Sequence, residues 1–198
     1  MPSLLQRMLL LAVPVAFCQV PPSKPSSAPA LPYMDWGACP FEGCAYRQWT
    51  ARKPVVLYDT WKEDRRELAH LAKGDKVLGM TGVVITSRPG VVVMSQDIPA
   101  ENLHRGDKIL TYTYGGEGHF LAWFKGRLYP SYDLSRIGPA DGSGCGSTPC
   151  AGTFVDTGKS VWWSRVKLRS GQTGWVKMEA SAFDGVDLLG SIAGGAIA

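Results

Sequence analysis

The segment that most constrains the fold is the sequence WWSRVKLRSGQTGWVKM at residues 162–178. Its first half alternates apolar and polar side chains with a period of two, as a β-strand with one buried face does. The sequence SGQTG then interrupts the alternation with turn residues, and a second short run begins at Trp175. We therefore predict a β-hairpin with one core face and one basic face, and we expect Trp175 in the core or at its rim.

Short apolar runs of the same kind recur along the chain. Most are bounded by Gly, Pro, Asp or Ser, and the 198 residues include 23 glycines and 14 prolines, which favours short strands over long helices. The predicted strands are residues 55–58, 76–80, 83–86, 91–94, 108–114, 120–124, 161–168 and 175–178. Residues 61–71 are predicted to form a long loop with a short helix at most. The sequence thus predicts an all-β protein of one ordinary domain or two very small ones.

An internal repeat indicates that part of the architecture is duplicated. The sequences LAKGDKVL at 71–78 and LHRGDKIL at 103–110 align without a gap. Their shared pattern predicts a buried Leu, a turn in which Gly takes a positive φ, an Asp that accepts hydrogen bonds from turn amides, and a following strand. Two copies indicate two related barrel-like units, or one barrel elaborated by a copied hairpin.

The first 32 residues are predicted to lie outside the fold. Arg7 precedes an apolar run at 8–17, which is too short to cross a bilayer and is typical of a signal peptide cleaved after Cys18. The alternatives are a lipoprotein in which Cys18 is lipidated, or a retained anchor. Residues 19–32 contain five prolines and form a tether. We therefore expect a secreted or periplasmic protein, held at a membrane only if Cys18 is lipidated.

The four remaining cysteines form two pairs with the same spacing, Cys39/Cys44 and Cys145/Cys150. An even number in an exported chain favours disulfides, and the short loops with Gly and Pro favour bonds within each pair. Crossed pairing and a zinc site of four thiolates are the alternatives, although typical zinc sites have a two-residue spacing. We predict two local disulfides that pin loops, no metal and no cofactor.

The basic face of the predicted hairpin is the candidate binding surface. Alternation places Trp163, Arg165, Lys167 and Arg169 on this face, and Lys177 follows on the second strand. An aromatic ring beside cations suits an acidic peptide or a glycan polymer. The alternative is that the cations stack on Trp163 and merely keep the strand solvated. The net charge of +4 is too small to favour nucleic acid as a partner.

Glu117 and His119, in the sequence GGEGHF, and Asp133 are the residues available for a hydrolase or metal site. Their spacing does not fix their mutual distances, and neither G-x-S-x-G nor H-E-x-x-H occurs. A cysteine nucleophile is disfavoured because each cysteine of the mature chain has a disulfide partner. We predict no catalytic site, with a small envelope hydrolase that uses Glu117 and His119 as the alternative.

The hairpin also carries the pattern W-x-x-V-x-L-x-x-G-x-x-G-W-V, at Trp163, Val166, Leu168, Gly171, Gly174, Trp175 and Val176. This pattern resembles the closing hairpin of bacterial SH3-like (SH3b) domains. The run at 55–57 and the two L-x-x-G-D-x-[VI] turns look like the opening strands of the same family. The resemblance implies small β-barrels, which usually act as non-catalytic binding modules in envelope or extracellular proteins.

On this basis we expect an N-terminal SH3-like unit at 33–96, which begins with an aromatic and cysteine-rich segment, and a C-terminal SH3-like unit at 97–182 with a glycine-rich loop insertion. Residues 183–198 are expected to be a flexible tail. The expected function is binding at the bacterial cell envelope, with peptidoglycan, an acidic peptide or an envelope protein as the partner. A structural or inhibitory protein that presents its disulfide loops is a further alternative.

Overall fold

The structure is a computed structural model that describes residues 27–139, 145, 148–179 and 181–187. The predicted signal peptide at 1–18, the first part of the tether and residues 188–198 of the predicted tail lie outside the described residues. Within the described ranges, no helix is long and apolar enough to cross a membrane.

The fold is all-β, as the sequence predicts. In chain order the strands are β1 (Tyr33–Trp36), β2 (Gln48–Ala51), β3 (Val55–Tyr58), β4 (Glu67–Leu71), β5 (Lys76–Arg88), β6 (Gly90–Met94), β7 (Lys108–Gly116), β8 (His119–Phe124), β9 (Arg127–Asp133), β10 (Ile137–Gly138), β11 (Gly152–Asp156), β12 (Lys159–Leu168), β13 (Thr173–Lys177) and β14 (Phe183–Asp184). A 3-10 turn at Pro99–Glu101 is the one helical element in the described part of the chain.

Several strands differ from the prediction. Six of them were not predicted, namely β1, β2, β9, β10, β11 and β14, and β10 and β11 lie in the stretch expected to be a glycine-rich loop insertion. Two further differences concern β5 and β4. β5 is a single strand of 13 residues that runs through both predicted strands, 76–80 and 83–86. It continues through Gly82, which is opposite Ser164 in the ladder with β12. Glycine is required there because a Cβ would lie 2.6 Å from Nε1 of Trp162. β4 occupies the second half of the predicted loop at 61–71, because Leu71 enters the core and His70 pairs with β3.

The strands form two curled sheets. The first has the order β14-β2-β5-β12-β13-β3-β4, with β1 paired to the second half of β5; the second has the order β10-β11-β6-β7-β8-β9. The second sheet lies in the chain between β5 and β12, so both flanks of the sequence build the first sheet. The sheets therefore do not divide the chain into 33–96 and 97–182.

The antiparallel pairing of β5 with β12 joins the two flanks. The ladder extends from Lys159 opposite Arg88 to Leu168 opposite Val77, so the two ends of the inserted sheet lie side by side. The two sheets also touch directly, because the Thr86 hydroxyl donates a hydrogen bond of 2.8 Å to the carbonyl of Tyr112.

The repeated octapeptide forms the same turn in both sheets, as predicted. The glycine of each copy has a positive φ, of 94° and 88°. Asp75 accepts a hydrogen bond of 2.8 Å from the amide of Ala72, and Asp107 accepts one of 2.9 Å from the amide of His104. The leucine that begins each copy is buried. The duplication seen in the sequence is therefore a duplication of turn geometry, with one copy in each sheet.

Each sheet has its own apolar core. The first core contains Trp49, Leu57, Val77, Val166 and Val176, and the second contains Val92, Leu103, Ile109, Ala122 and Phe124.

The start of the predicted tail belongs to the first core. Phe183 and Asp184 form β14, which pairs with β2. Phe183 and Val186 are each 6% exposed, and the ring of Phe183 packs 5.8 Å from the ring of Trp49. The ordered chain therefore continues beyond the boundary expected at residue 183, because these apolar side chains complete the core.

The cysteines pair locally, as predicted. Cys39 and Cys44 are joined with their Cα atoms 5.5 Å apart, and Cys145 and Cys150 with theirs 5.3 Å apart. Crossed pairing and the four-thiolate zinc site are therefore not formed.

We predict that Asp107→Asn lowers the melting temperature at neutral pH. The hydrogen bond from the His104 amide, followed by that from Lys125, lowers the pKa of the Asp107 carboxyl. A carboxyl with a lowered folded-state pKa stabilises the fold above its unfolded pKa of about 4, and this contribution is lost as the pH falls through the folded-state value. Thermal melts of both proteins should differ at pH 7 and converge in acid, whereas Asp64→Asn, on an exposed loop, should match the wild type. Equal melting temperatures at pH 7 would contradict this role.

Candidate functional site

The candidate site is the solvent face of the first sheet. On β5, β12, β13 and β3 one face packs into the core, and the strand register places the opposite side chains in rows. One row contains Val83, Trp163 and Lys177, and the next contains Thr81, Arg165, Trp175 and Tyr58. We define the outer face as these residues together with Trp36, Trp61, Arg65 and Lys167.

Aromatic rings cover the centre of the outer face. Trp36 lies between two other tryptophans, with ring centres 5.9 Å from Trp61 and 6.2 Å from Trp175. Tyr58 contacts Trp163 at 5.8 Å. Four of the seven tryptophans of the chain are therefore on this face, and Trp36 is 56% exposed. Exposed apolar surface of this kind commonly marks an interaction site.

Trp163 is not the exposed platform that the sequence predicts. It is only 5% exposed, because Tyr58 packs against its ring and the Arg65 guanidinium lies 5.2 Å from its ring centre. Trp175, which we expected in the core or at its rim, is half-buried on the outer face beside Trp36. The ring most accessible to a ligand is thus Trp36, which lies outside the hairpin predicted to be the binding surface.

The predicted cations are on the outer face, with one exception. Arg165, Lys167 and Lys177 are exposed there, whereas Arg169 lies beyond the end of β12 in the turn before β13. Arg165 donates a hydrogen bond of 3.3 Å to the hydroxyl of Thr173. Within the described residues none of the three strand cations makes an ion pair, and β5, β12 and β13 contain no Asp or Glu.

Carboxylates beside the outer face have other partners. Glu67 is opposite Tyr58 in the β3–β4 ladder, and its carboxylate lies 3.2 Å from Nε2 of His70. Asp59 pairs with Arg66 at 3.1 Å, and hydrogen bonding from Arg66 lowers the pKa of the Asp59 carboxyl. Glu179 is bound by Lys53, whose hydrogen bond lowers the pKa of the Glu179 carboxyl. Arg165 and Lys167 therefore form no ion pair among the described residues, whereas the charge of Lys177 acts on Glu179.

The residues of the alternative hydrolase do not form a relay. His119 is opposite Asp133 in the β8–β9 ladder, but its Nδ1 lies 3.2 Å from the backbone oxygen of Glu117, not from the carboxylate. The Asp133 carboxylate accepts a hydrogen bond of 2.8 Å from the Ser135 amide, which lowers its pKa. Within the described ranges no hydrogen bond or ion pair joins His119 to either carboxylate, and no group of three metal-ligating side chains is found.

A cleft of about 760 Å³ opens beside the first core, lined in part by Phe41, Trp162 and Phe183. The charges at its edge neutralise one another, since Arg52 pairs with Asp184 at 3.4 Å. The outer face differs from this cleft because Arg165 and Lys167 form no ion pair among the described residues.

Comparison of the chain with protein-family models, with curated proteins and with solved structures finds no match. Any functional conclusion therefore depends on the geometry of the site itself.

We predict that Trp163→Ala lowers the free energy of unfolding by about 3 kcal/mol, because it removes a large buried ring. Trp36→Ala should lower it by less than about 1 kcal/mol, because that ring is mostly in solvent. Urea denaturation measures both values. Equal effects of the two substitutions would contradict the placement of Trp163 beneath Tyr58 and Arg65.

Proposed function

We propose that this protein is an exported, non-catalytic binding module of the bacterial cell envelope, and that its outer face binds peptidoglycan. The observation that carries the proposal is the cluster of Trp36, which is exposed, with the half-buried Trp61 and Trp175, beside the cations Arg165 and Lys167, which form no ion pair among the described residues. Peptidoglycan combines sugar rings with carboxylate-bearing peptides. Flat aromatic rings can pack against the sugars, and the cations can bind the carboxylates.

The balance of rings and charges favours peptidoglycan over a purely acidic peptide. An acidic peptide would bind to cations such as Arg165, Lys167 and Lys177. It has little apolar surface, however, that three neighbouring tryptophan rings could contact. Rigid aromatic side chains are the residues that most often supply binding energy when a ligand covers them. Peptidoglycan has apolar faces on its sugar rings and carboxylates on its peptides, so it can contact both the tryptophan rings and the cations of the outer face.

Two further observations support export and the module type. Both disulfides are loops of the kind that persist in oxidising compartments, which fits the predicted signal peptide. The pairing of β12 with β13 and the two matching Gly-Asp turns support the proposal that the sheets are SH3-like units.

We predict that the double variant Trp36→Ala/Trp175→Ala weakens binding to purified peptidoglycan sacculi by about tenfold or more, because it removes the accessible rings. Co-sedimentation at several protein concentrations measures the apparent affinity. Tyr114→Ala is the matched control, because Tyr114 is an aromatic residue of the second sheet with 37% exposure, and it should bind as the wild type does.

Two results would count against the proposal. One is no retention of the wild-type mature chain by sacculi. The other is retention that the double variant and the Tyr114→Ala control reduce equally, which would place binding outside the outer face.

A further inference from the structure

Arg65 is held on the outer face by two aromatic rings. Its guanidinium carbon lies 5.2 Å from the ring centre of Tyr58 and 5.2 Å from that of Trp163. One of its terminal nitrogens, Nη1, donates a hydrogen bond of 3.0 Å to the carbonyl of Lys62. These three contacts fix the position of a side chain that is otherwise exposed.

The arrangement leaves Arg65 with unused donors. A guanidinium group has five N–H donors in one plane, and the contact with Lys62 occupies one nitrogen. Within the described residues Arg65 makes no ion pair. The neighbouring Arg66, by contrast, is paired with Asp59 at 3.1 Å. Two consecutive arginines thus differ in state: one is neutralised and the other is held over aromatic rings without a counter-ion.

Other cations surround the same point. Trp163, which lies beneath Arg65, is directly opposite Lys177 in the β12–β13 ladder, and Arg165 follows two residues later on the same face. Side chains directly opposite in an antiparallel pair are about 5 Å apart at Cβ. Glu63 and Asp64, on the loop that carries Arg65, are exposed and make no ion pair with it. Arg65, Arg165 and Lys177 therefore place three cations around Trp163.

We propose that Arg65 is the carboxylate anchor of this module: it binds a carboxylate of the peptidoglycan stem peptides and gives the outer face its preference for acidic ligands. This inference rests on the proposed function. The guanidinium fork matches a carboxylate in a bidentate geometry. Because Tyr58 and Trp163 already hold the fork, binding loses less side-chain freedom than it would with a free arginine.

The test compares variants on two ligand preparations. The probes are purified sacculi, and the same sacculi with their carboxylates amidated by carbodiimide and ammonia. The variants are Arg65→Gln, which removes the charge, and Arg65→Lys, which keeps the charge but loses the planar fork. Arg66→Gln is the matched control: it makes the same charge change on the same loop, at a residue that is 86% exposed and whose ion pair contributes little.

On native sacculi we expect Arg65→Gln to weaken binding by about tenfold or more and Arg65→Lys by several-fold, since charge-assisted bidentate bonds are among the stronger polar contacts. Arg66→Gln should stay within about twofold of the wild type. On amidated sacculi the wild type should bind more weakly, and its advantage over Arg65→Gln should disappear. Near-ultraviolet circular dichroism verifies that the tryptophan cluster is intact in each variant.

Three results would overturn the anchor role. The first is that Arg65→Gln and Arg65→Lys bind native sacculi as tightly as the wild type. The second is that Arg65→Gln weakens binding equally on both preparations, which means that Arg65 acts only by packing on Trp163. The third is that Arg66→Gln weakens binding as much as Arg65→Gln. If one of these results is found and wild-type binding still depends on Trp36 and Trp175, only the anchor role is overturned and the proposed function is not. Failure of the wild type to bind either preparation overturns both proposals.

Discussion

The structure depends on the antiparallel ladder between β5 and β12. This ladder joins strands that are separated in the chain by the whole second sheet, and it begins where Arg88 is opposite Lys159. Such non-local pairing requires a large entropy loss before its contacts form. Once formed, the ladder places the two ends of the inserted sheet side by side. It also gives the first sheet a core face and a solvent face. Val166 packs in the core, and Arg165 and Lys167 are directed to solvent.

The two faces of this surface explain why fold and candidate function are linked. The same alternation that buries Val166 and Val176 presents Arg165 and Trp175 outward. Val83 and Trp163 do not follow a simple division into core and solvent, since both lie in the rows of the outer face but are buried; other side chains of that face cover Trp163. Tyr58 and Arg65 therefore pack on the ring of Trp163. The binding proposal depends on this second layer above the sheet and not on the strand pattern alone.

Local patterns in the sequence predicted the local parts of the structure. Alternation located β12 and β13, the octapeptide repeat predicted both Gly-Asp turns, and the cysteine spacing predicted both disulfides. Gly82 led to the wrong prediction of two strands in place of β5, because the sequence alone does not distinguish a glycine inside a strand from a glycine that ends one. The close contact of Gly82 with Trp162 is known only from the structure. The outer face was only half predictable: its cations are on the hairpin, but Trp36 and Arg65 come from distant segments that meet only when the sheet closes.

The most direct test of the account is an NMR titration of the protein with 15N-labelled tryptophan indoles, using soluble peptidoglycan fragments released by muramidase. The account predicts that chemical-shift changes concentrate on Trp36, Trp61, Trp163 and Trp175. The indoles of the other three tryptophans, Trp49, Trp123 and Trp162, should change little. Larger changes at those three than at the outer face, or no change at any indole with saturating fragments, would contradict the claim that the outer face is the binding site.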